Sequence, residues 1–212
     1  MEHGKHIELL GVPRTATPAD VRRSITRAGL QGVVDVAIDY HRFLPSGKAL
    51  LTLNDPQFLR DNIRNLERLT VAGLPVKSRP RLLRDDEAAP SRMRGVKGRA
   101  EASERGIVTG NGPHAGITNC ERHVVIKGLP GRISLQTLEN TLRSYQLAET
   151  RGGRPRIVKV PLPKDVFTMY SRFLVTLKSE AEAHRLVRDL HYTYFDQKTF
   201  GTKHRLFARV VY

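Results

Sequence analysis

Residues 123–129 read HVVIKGL and run into Pro130, and residues 6–12 read HIELLGV and run into Pro13. Each is a short apolar run closed by a Gly-X-Pro stop, the pattern of a buried strand ended by residues that cannot extend a ladder. The segments after the two runs are also alike. After 6–12, Thr17 is placed to cap a helix, Pro18 suits its first position, and Asp20 puts an acid in its first turn. Val21, Ile25 and Ala28 then share one helical face, and Gly29 ends it. After 123–129, Ser134 caps, and Leu135, Leu138, Leu142 and Tyr145 repeat the spacing.

Both halves continue with two strands and a second helix. In the first half 33–39 (VVDVAID) alternates, 48–53 (KALLTL) comes after a Pro-Ser-Gly turn, and Asp55-Pro56 opens a helix carrying Phe58, Leu59, Ile63 and Leu66. In the second half the strands are 156–160 (RIVKV) and 172–177 (RFLVTL). Ser179 and Glu182 then form a capping box ahead of Leu186, Val187 and Leu190. Closing strands are expected at 74–77 and 206–211. The order β-α-β-β-α-β therefore occurs twice. The expected fold class is α+β, with two ferredoxin-like domains at 1–78 and 122–212. Residues 79–121 lose apolar periodicity to Arg, Gly, Ser, Pro and acids and read as a basic, largely irregular linker.

Charge narrows the partner. The chain of 212 residues holds 36 Lys+Arg against 21 Asp+Glu, a net charge of +15, and 26 of the 36 are Arg. Arg excess suits planar, bidentate phosphate contacts and stacking on bases, where Lys is a point charge. The excess is uneven: residues 123–212 carry 16 basic and 7 acidic residues. No uncharged run approaches 18 residues, so no transmembrane helix is expected, and the first 30 residues lack the apolar core of a secretory signal. The single cysteine, Cys120, cannot form an internal disulfide and fits a reducing, intracellular setting. The eight His show no ligand spacing, and no phosphate loop or nucleophile elbow is present. No metal, cofactor or enzymatic activity is expected.

The strand order, with first strands ending in Gly-Val-Pro and Gly-Leu-Pro, resembles the RNA recognition motif family, whose longer signature lies on the third strand. Here that strand is Ser46-Gly47-Lys48-Ala49-Leu50-Leu51-Thr52-Leu53 in one half and Tyr170-Ser171-Arg172-Phe173-Leu174-Val175-Thr176-Leu177 in the other. The resemblance implies a non-catalytic RNA-binding part of a ribonucleoprotein, with the mitochondrial ribosome and its RNA as the leading example. It also implies other ribonucleoprotein subunits as partners, and the mitochondrion is preferred over nucleus or cytoplasm. The family stacks bases on aromatic rings of its two central strands. The corresponding positions are Glu8, Lys48 and Leu50, then Val125, Arg172 and Leu174, and none is aromatic. Phe173 falls on the inward face, and Glu8 is expected to repel phosphate.

Cations are the expected substitute. Arg151, Arg154, Arg156, Lys159, Lys164 and Arg172 fall within 22 positions that hold one acid, Asp165. Arg92, Arg94, Lys97 and Arg99 add a linker cluster, and Lys48 and Lys127 lie on the sheet strands themselves. Tyr192, Tyr194, Phe195 and Phe200 precede the final strand and either stack on bases or a partner's rings or close the open end of the core. Two other functions compete: a protein-docking module using Leu10, Val36 and Leu50 on the first domain, and an mRNA-binding regulator.

Overall fold

The computed structural model describes residues 4–81, 110–117, 120–148, 156–161 and 168–212. The chain forms two compact units, one containing 4–81 with 111–116 and the other containing 117–211.

The first unit begins with β1 (His6–Leu10) and α1 (Pro18–Arg27), followed by β2 (Val33–His41) and β3 (Leu44–Leu53). A 3-10 turn at Pro56–Phe58 leads into α2 (Leu59–Asn65). Then come β4 (Thr70–Val71), β5 (Leu74–Pro75), β6 (Lys77–Arg81) and β7 (Gly112–Pro113). The main sheet has the order β6-β1-β3-β2-β7, antiparallel at every pairing. Alternation puts Ile7, Leu9, Val36, Ala49 and Leu51 on its inner face, where they meet Val21, Ile25 and Leu66 from the helical layer. Thr17 caps α1 as the sequence predicts, and Asp20 adds the reciprocal half of a capping box: the Asp20 N–H donates to Thr17 Oγ1 at 3.2 Å, and the Thr17 N–H donates to Asp20 Oδ2 at 3.0 Å.

Three features differ from the sequence reading. The β2–β3 turn sits at Arg42-Phe43, both in the left-handed region, and not at Pro-Ser-Gly. Phe43 is fully buried there, so its burial offsets a conformation that Gly would adopt freely. Gly47, at φ +86, is instead absorbed where β3 slips register against β2. The closing strand is β6 at Lys77–Arg81, because Leu74–Pro75 turns back on Thr70–Val71 as a separate two-stranded ribbon. Finally, 79–81 and 112–113 sit in the sheet although their composition reads as linker.

The second unit opens with a 3-10 turn at Cys120–Arg122. It continues through β8 (His123–Pro130), α3 (Leu135–Thr141), β9 (Ile157–Lys159), β10 (Tyr170–Thr176), α4 (Glu180–Leu190), α5 (Gln197–Phe200) and β11 (Phe207–Val211). Its sheet order is β11-β8-β10-β9. Val124, Ile126, Phe173, Val175, Ala208 and Val210 are buried on the inner face, with Leu138, Leu142, Ala183 and Leu186 from the helices. Phe173 is core, as its strand parity requires. Ser134 and Ser179 cap α3 and α4 by accepting from the Thr137 and Glu182 N–H groups. Tyr145 lies beyond the end of α3 and donates its hydroxyl to Asp189 Oδ2 at 3.2 Å. No helix among the described residues is long and apolar enough to cross a membrane.

Candidate nucleic-acid interface

The outer face of each sheet, opposite the helices, is where this topology leaves room for a ligand. On the first unit, register places Lys77, Leu10 and Lys48 in one row, Arg79, Glu8 and Leu50 in the next, and Arg81, His6 and Thr52 in the third. Glu8 is the centre of this face. Its side chain is only 5% exposed, and Arg79 contacts Oε2 through Nε and Nη2, each at 2.5 Å. Arg81 stands 3.6 Å and Lys48 3.7 Å from the other carboxylate oxygen. A carboxylate held by three cations does not present a bare negative charge, which corrects the expected repulsion of phosphate. It also engages Lys48, one of the predicted RNA contacts. His6, alongside, has its pKa lowered by burial first and then by Arg81 and Lys5.

The protein-docking reading of this face loses two of its three residues. Val36 is paired with Leu51 on the inner face, and Leu50, although on the outer face, is buried.

On the second unit the outer rows are Phe207, Lys127 and Arg172, then Arg209, Val125, Leu174 and Val158, then Val211, His123 and Thr176. The rows differ in access. Val125 is 1% and Leu174 4% exposed, so the aliphatic residues at the family's stacking positions are closed to a base as well as ringless. The row at the Lys127 end is half-open. There the Lys127 ammonium lies 4.6 Å from the Phe207 ring centroid, and Arg172 is its cross-strand neighbour.

The remaining predicted cations are distributed. Arg156 turns toward α3, with Nε 3.5 Å from Glu139 Oε1, on the rim of an open groove that Arg143 and Tyr145 also line. Lys159 donates to the Gly131 carbonyl at 2.9 Å and passes 5.8 Å from the Phe173 ring centroid. The structure thus brings Lys127 and Arg172 together and leaves Arg156 and Lys159 apart from them. Arg92, Arg94, Lys97, Arg99, Arg151, Arg154 and Lys164 lie outside the described residues.

The loop aromatics divide into buried and exposed rings. Phe195 is buried and Phe200 packs beside it at 5.9 Å, while Tyr192 and Tyr194 are exposed. Tyr192 stands edge-on to Phe207 at 5.1 Å, and the Arg205 guanidinium lies 4.5 Å from its ring centroid. Phe207 and Arg205 could not be read as candidate site residues from the sequence, because strand pairing sets Phe207 opposite Lys127 and Arg205 opposite Tyr194. Their signal was the basic-aromatic interleaving of 203–207 (KHRLF). Among the described residues no group of three or more His, Cys, Asp or Glu is placed to hold a metal ion.

No protein-family model matches the chain, and no curated protein matches it by sequence. Solved structures similar to it include RNA recognition domains 1 and 2 of Sex-lethal from Drosophila melanogaster, at 13% identity and a TM-score of 0.31, covering 97% of this chain and 99% of that one. The three N-terminal RNA-binding domains of the yeast splicing factor Prp24 align at 9% identity and TM-score 0.31, covering 98% of this chain and 66% of that one. The third RNA recognition motif of Mip6 aligns at 13% identity and TM-score 0.33, covering 44% of this chain and 96% of that one. The fold assignment rests on the topology itself. In both units the first and third strands are central, the fourth flanks the first, the second flanks the third, and helices pack on one face only. The chain carries the β-α-β-β-α-β fold of an RNA recognition motif twice, in α+β units of the ferredoxin-like kind.

Proposed function

We propose that this chain is a non-catalytic RNA-binding protein that grips the sugar-phosphate backbone through Arg and Lys, without base stacking on its central strands. The observation that carries this reading is the state of the family's stacking positions. One is a carboxylate held by cations, three are aliphatic, and the other two, Lys48 and Arg172, are themselves basic. Base stacking is worth about 1–3 kcal/mol per base, so affinity without it falls to electrostatics. A net charge of +15 supports that route. The setting proposed is a ribonucleoprotein particle; a mitochondrial one, such as the ribosome of that organelle, is proposed on the Arg excess alone.

The test is the salt dependence of RNA binding by the full chain. Each phosphate contact contributes a slope of about −0.7 in log affinity against log salt for single strands. Lys127→Gln with Arg172→Gln should flatten the slope by roughly 1–2 units and weaken unrelated sequences alike, since phosphate contacts carry no base information. Binding that does not weaken with salt, or no RNA binding at about 50 mM salt (the low end of the range in which such slopes are measured), overturns the reading.

A further inference from the structure

At the Lys127 end of the second unit's sheet, cations and rings alternate in space. Arg205 stacks on Tyr192, Tyr192 stands edge-on to Phe207, and Lys127 caps Phe207 from the neighbouring strand, with Arg172 abreast of it on the next. Tyr170 enters at the same end of the sheet, 49% exposed. We propose that this cluster is a nucleotide-stacking site displaced from the central strands to the outer strand β11 and the segment before it, and that its ligand is an unpaired stretch of RNA. The proposal rests on the RNA-binding reading above and assigns the bases a place within it.

Three observations carry it. First, Tyr192 is 52% exposed although Phe195, three positions on, is buried in the core. Second, Tyr192 holds φ +64, a conformation that costs an L-residue of this size on the order of 1–2 kcal/mol and that Gly would adopt freely. The backbone around it is nonetheless pinned. The Tyr192 N–H donates to the Leu206 carbonyl at 2.9 Å and the Leu206 N–H to the Thr193 carbonyl at 2.8 Å. A strained residue with an exposed ring, held by its surroundings, is the pattern of a binding position. Third, the charge is complementary. Arg205 makes no ion pair among the described residues, so its guanidinium plane is available to a phosphate or to the face of a base.

The geometry that builds the site is local to the unit. Gly128 sits at φ +97 with its backbone against Arg205: a β-carbon there would lie 2.0 Å from the Arg205 carbonyl oxygen. Only a glycine lets β8 approach the segment before β11 closely enough to bring Lys127 to Phe207. An unpaired base suits the cluster because rings and cations alternate at nucleotide scale, with phosphates able to reach Lys127 and Arg172 while a base covers Tyr192. A duplex keeps its bases stacked inside and offers only phosphates.

The experiment compares a ten-nucleotide single-stranded RNA with the duplex of the same sequence, both binding the full chain at fixed salt. Tyr192→Leu should weaken the single strand by about 5- to 150-fold, the range expected for one stacked base, and leave the duplex unchanged. Tyr192→Phe, which keeps the ring, should restore single-strand binding. Circular dichroism melts of both variants confirm that the fold survives. Equal loss of single strand and duplex, or a folded Tyr192→Leu that binds the single strand like the parent, overturns the stacking site while salt-dependent binding persists. Failure of the parent to bind either RNA overturns the RNA-binding reading, and the site falls with it. A folded variant that loses a protein partner but no RNA assigns the cluster to protein recognition and overturns the proposal.

Discussion

Glu8 shows how much one residue's surroundings decide. Read in sequence it is an acid where the family has a ring; in the folded sheet it is the anchor of Arg79, Lys48 and Arg81. The position was legible, its environment was not, because two of its three cations arrive on β6, 71 and 73 positions further along the chain. One of these cations, Arg81, also acts on His6. Burial disfavours the imidazolium, and Arg81 and Lys5 add to it, so its folded pKa lies below the ordinary value of 6.5. The folded state therefore holds fewer protons than the unfolded chain between the two values. Stability from His6 is complete above pH 6.5 and is lost as pH falls through the folded pKa. Ring-proton titration by NMR should place the His6 midpoint below 6.5, and His6→Asn should reduce the loss of stability on acidification from neutral pH. A midpoint at or above 6.5 sinks this account.

Among the helices and strands, what could be read was what local chemistry dictates. The helices opened by Thr17, Ser134 and Ser179 begin where their caps predict, since capping bonds reach only three residues along the chain. Strands whose character comes from a neighbour were harder. KSRPR at 77–81 has no apolar alternation, because β6 lies at the sheet margin with its cations on the outer face, and it resembles linker until paired with β1. The Arg42-Phe43 turn lacks the glycine that marks such turns, and a buried Phe43 supplies what composition does not. In the candidate site the missing platform was legible residue by residue. The ring cluster was not, for it joins residues 127, 192, 205 and 207 through two strand pairings. One contact controls that assembly: Gly128→Ala would drive a β-carbon into the Arg205 carbonyl at an unfavourable φ. The strain alone costs about 1–2 kcal/mol, and the overlap adds to it. Unfolding midpoints should fall accordingly, and single-strand RNA affinity should fall in the variant even at temperatures where it remains folded. Unchanged stability and affinity would mean that β8 and the Arg205 segment can separate without consequence.

Over the full chain the same strand order is used twice with different surfaces. One outer face is centred on a neutralised carboxylate; the other closes its middle and keeps a ring-and-cation margin open. Most of the net positive charge belongs with the second, since 123–212 holds 16 basic residues against only 7 acids while the chain as a whole is +15. The first unit has a distinct device in β7. Gly112–Pro113 pairs with Asp39 and Tyr40, the Arg42 N–H donates to Asn111 Oδ1 at 2.9 Å, and His114 Nε2 lies 3.3 Å from Asp35 Oδ2. A segment that composition assigns to a spacer thus covers the Asp39–Tyr40 end of the flank of β2, a strand nine residues long and rich in Val and Ile. Such a flank, if bare, is a template on which a second chain can add as a strand and begin a fibrous aggregate. The opposite flank is guarded differently, by Pro80 and the basic side chains of β6. Asn111→Ala combined with His114→Ala should loosen the cover and shorten the lag before light scattering rises at elevated concentration, while Asn111→Ser, which keeps a short polar acceptor, should do so less. If the double variant stays as clear as the parent under the same agitation, β7 is not what keeps these sheets from joining, and solubility rests on the basic charge alone.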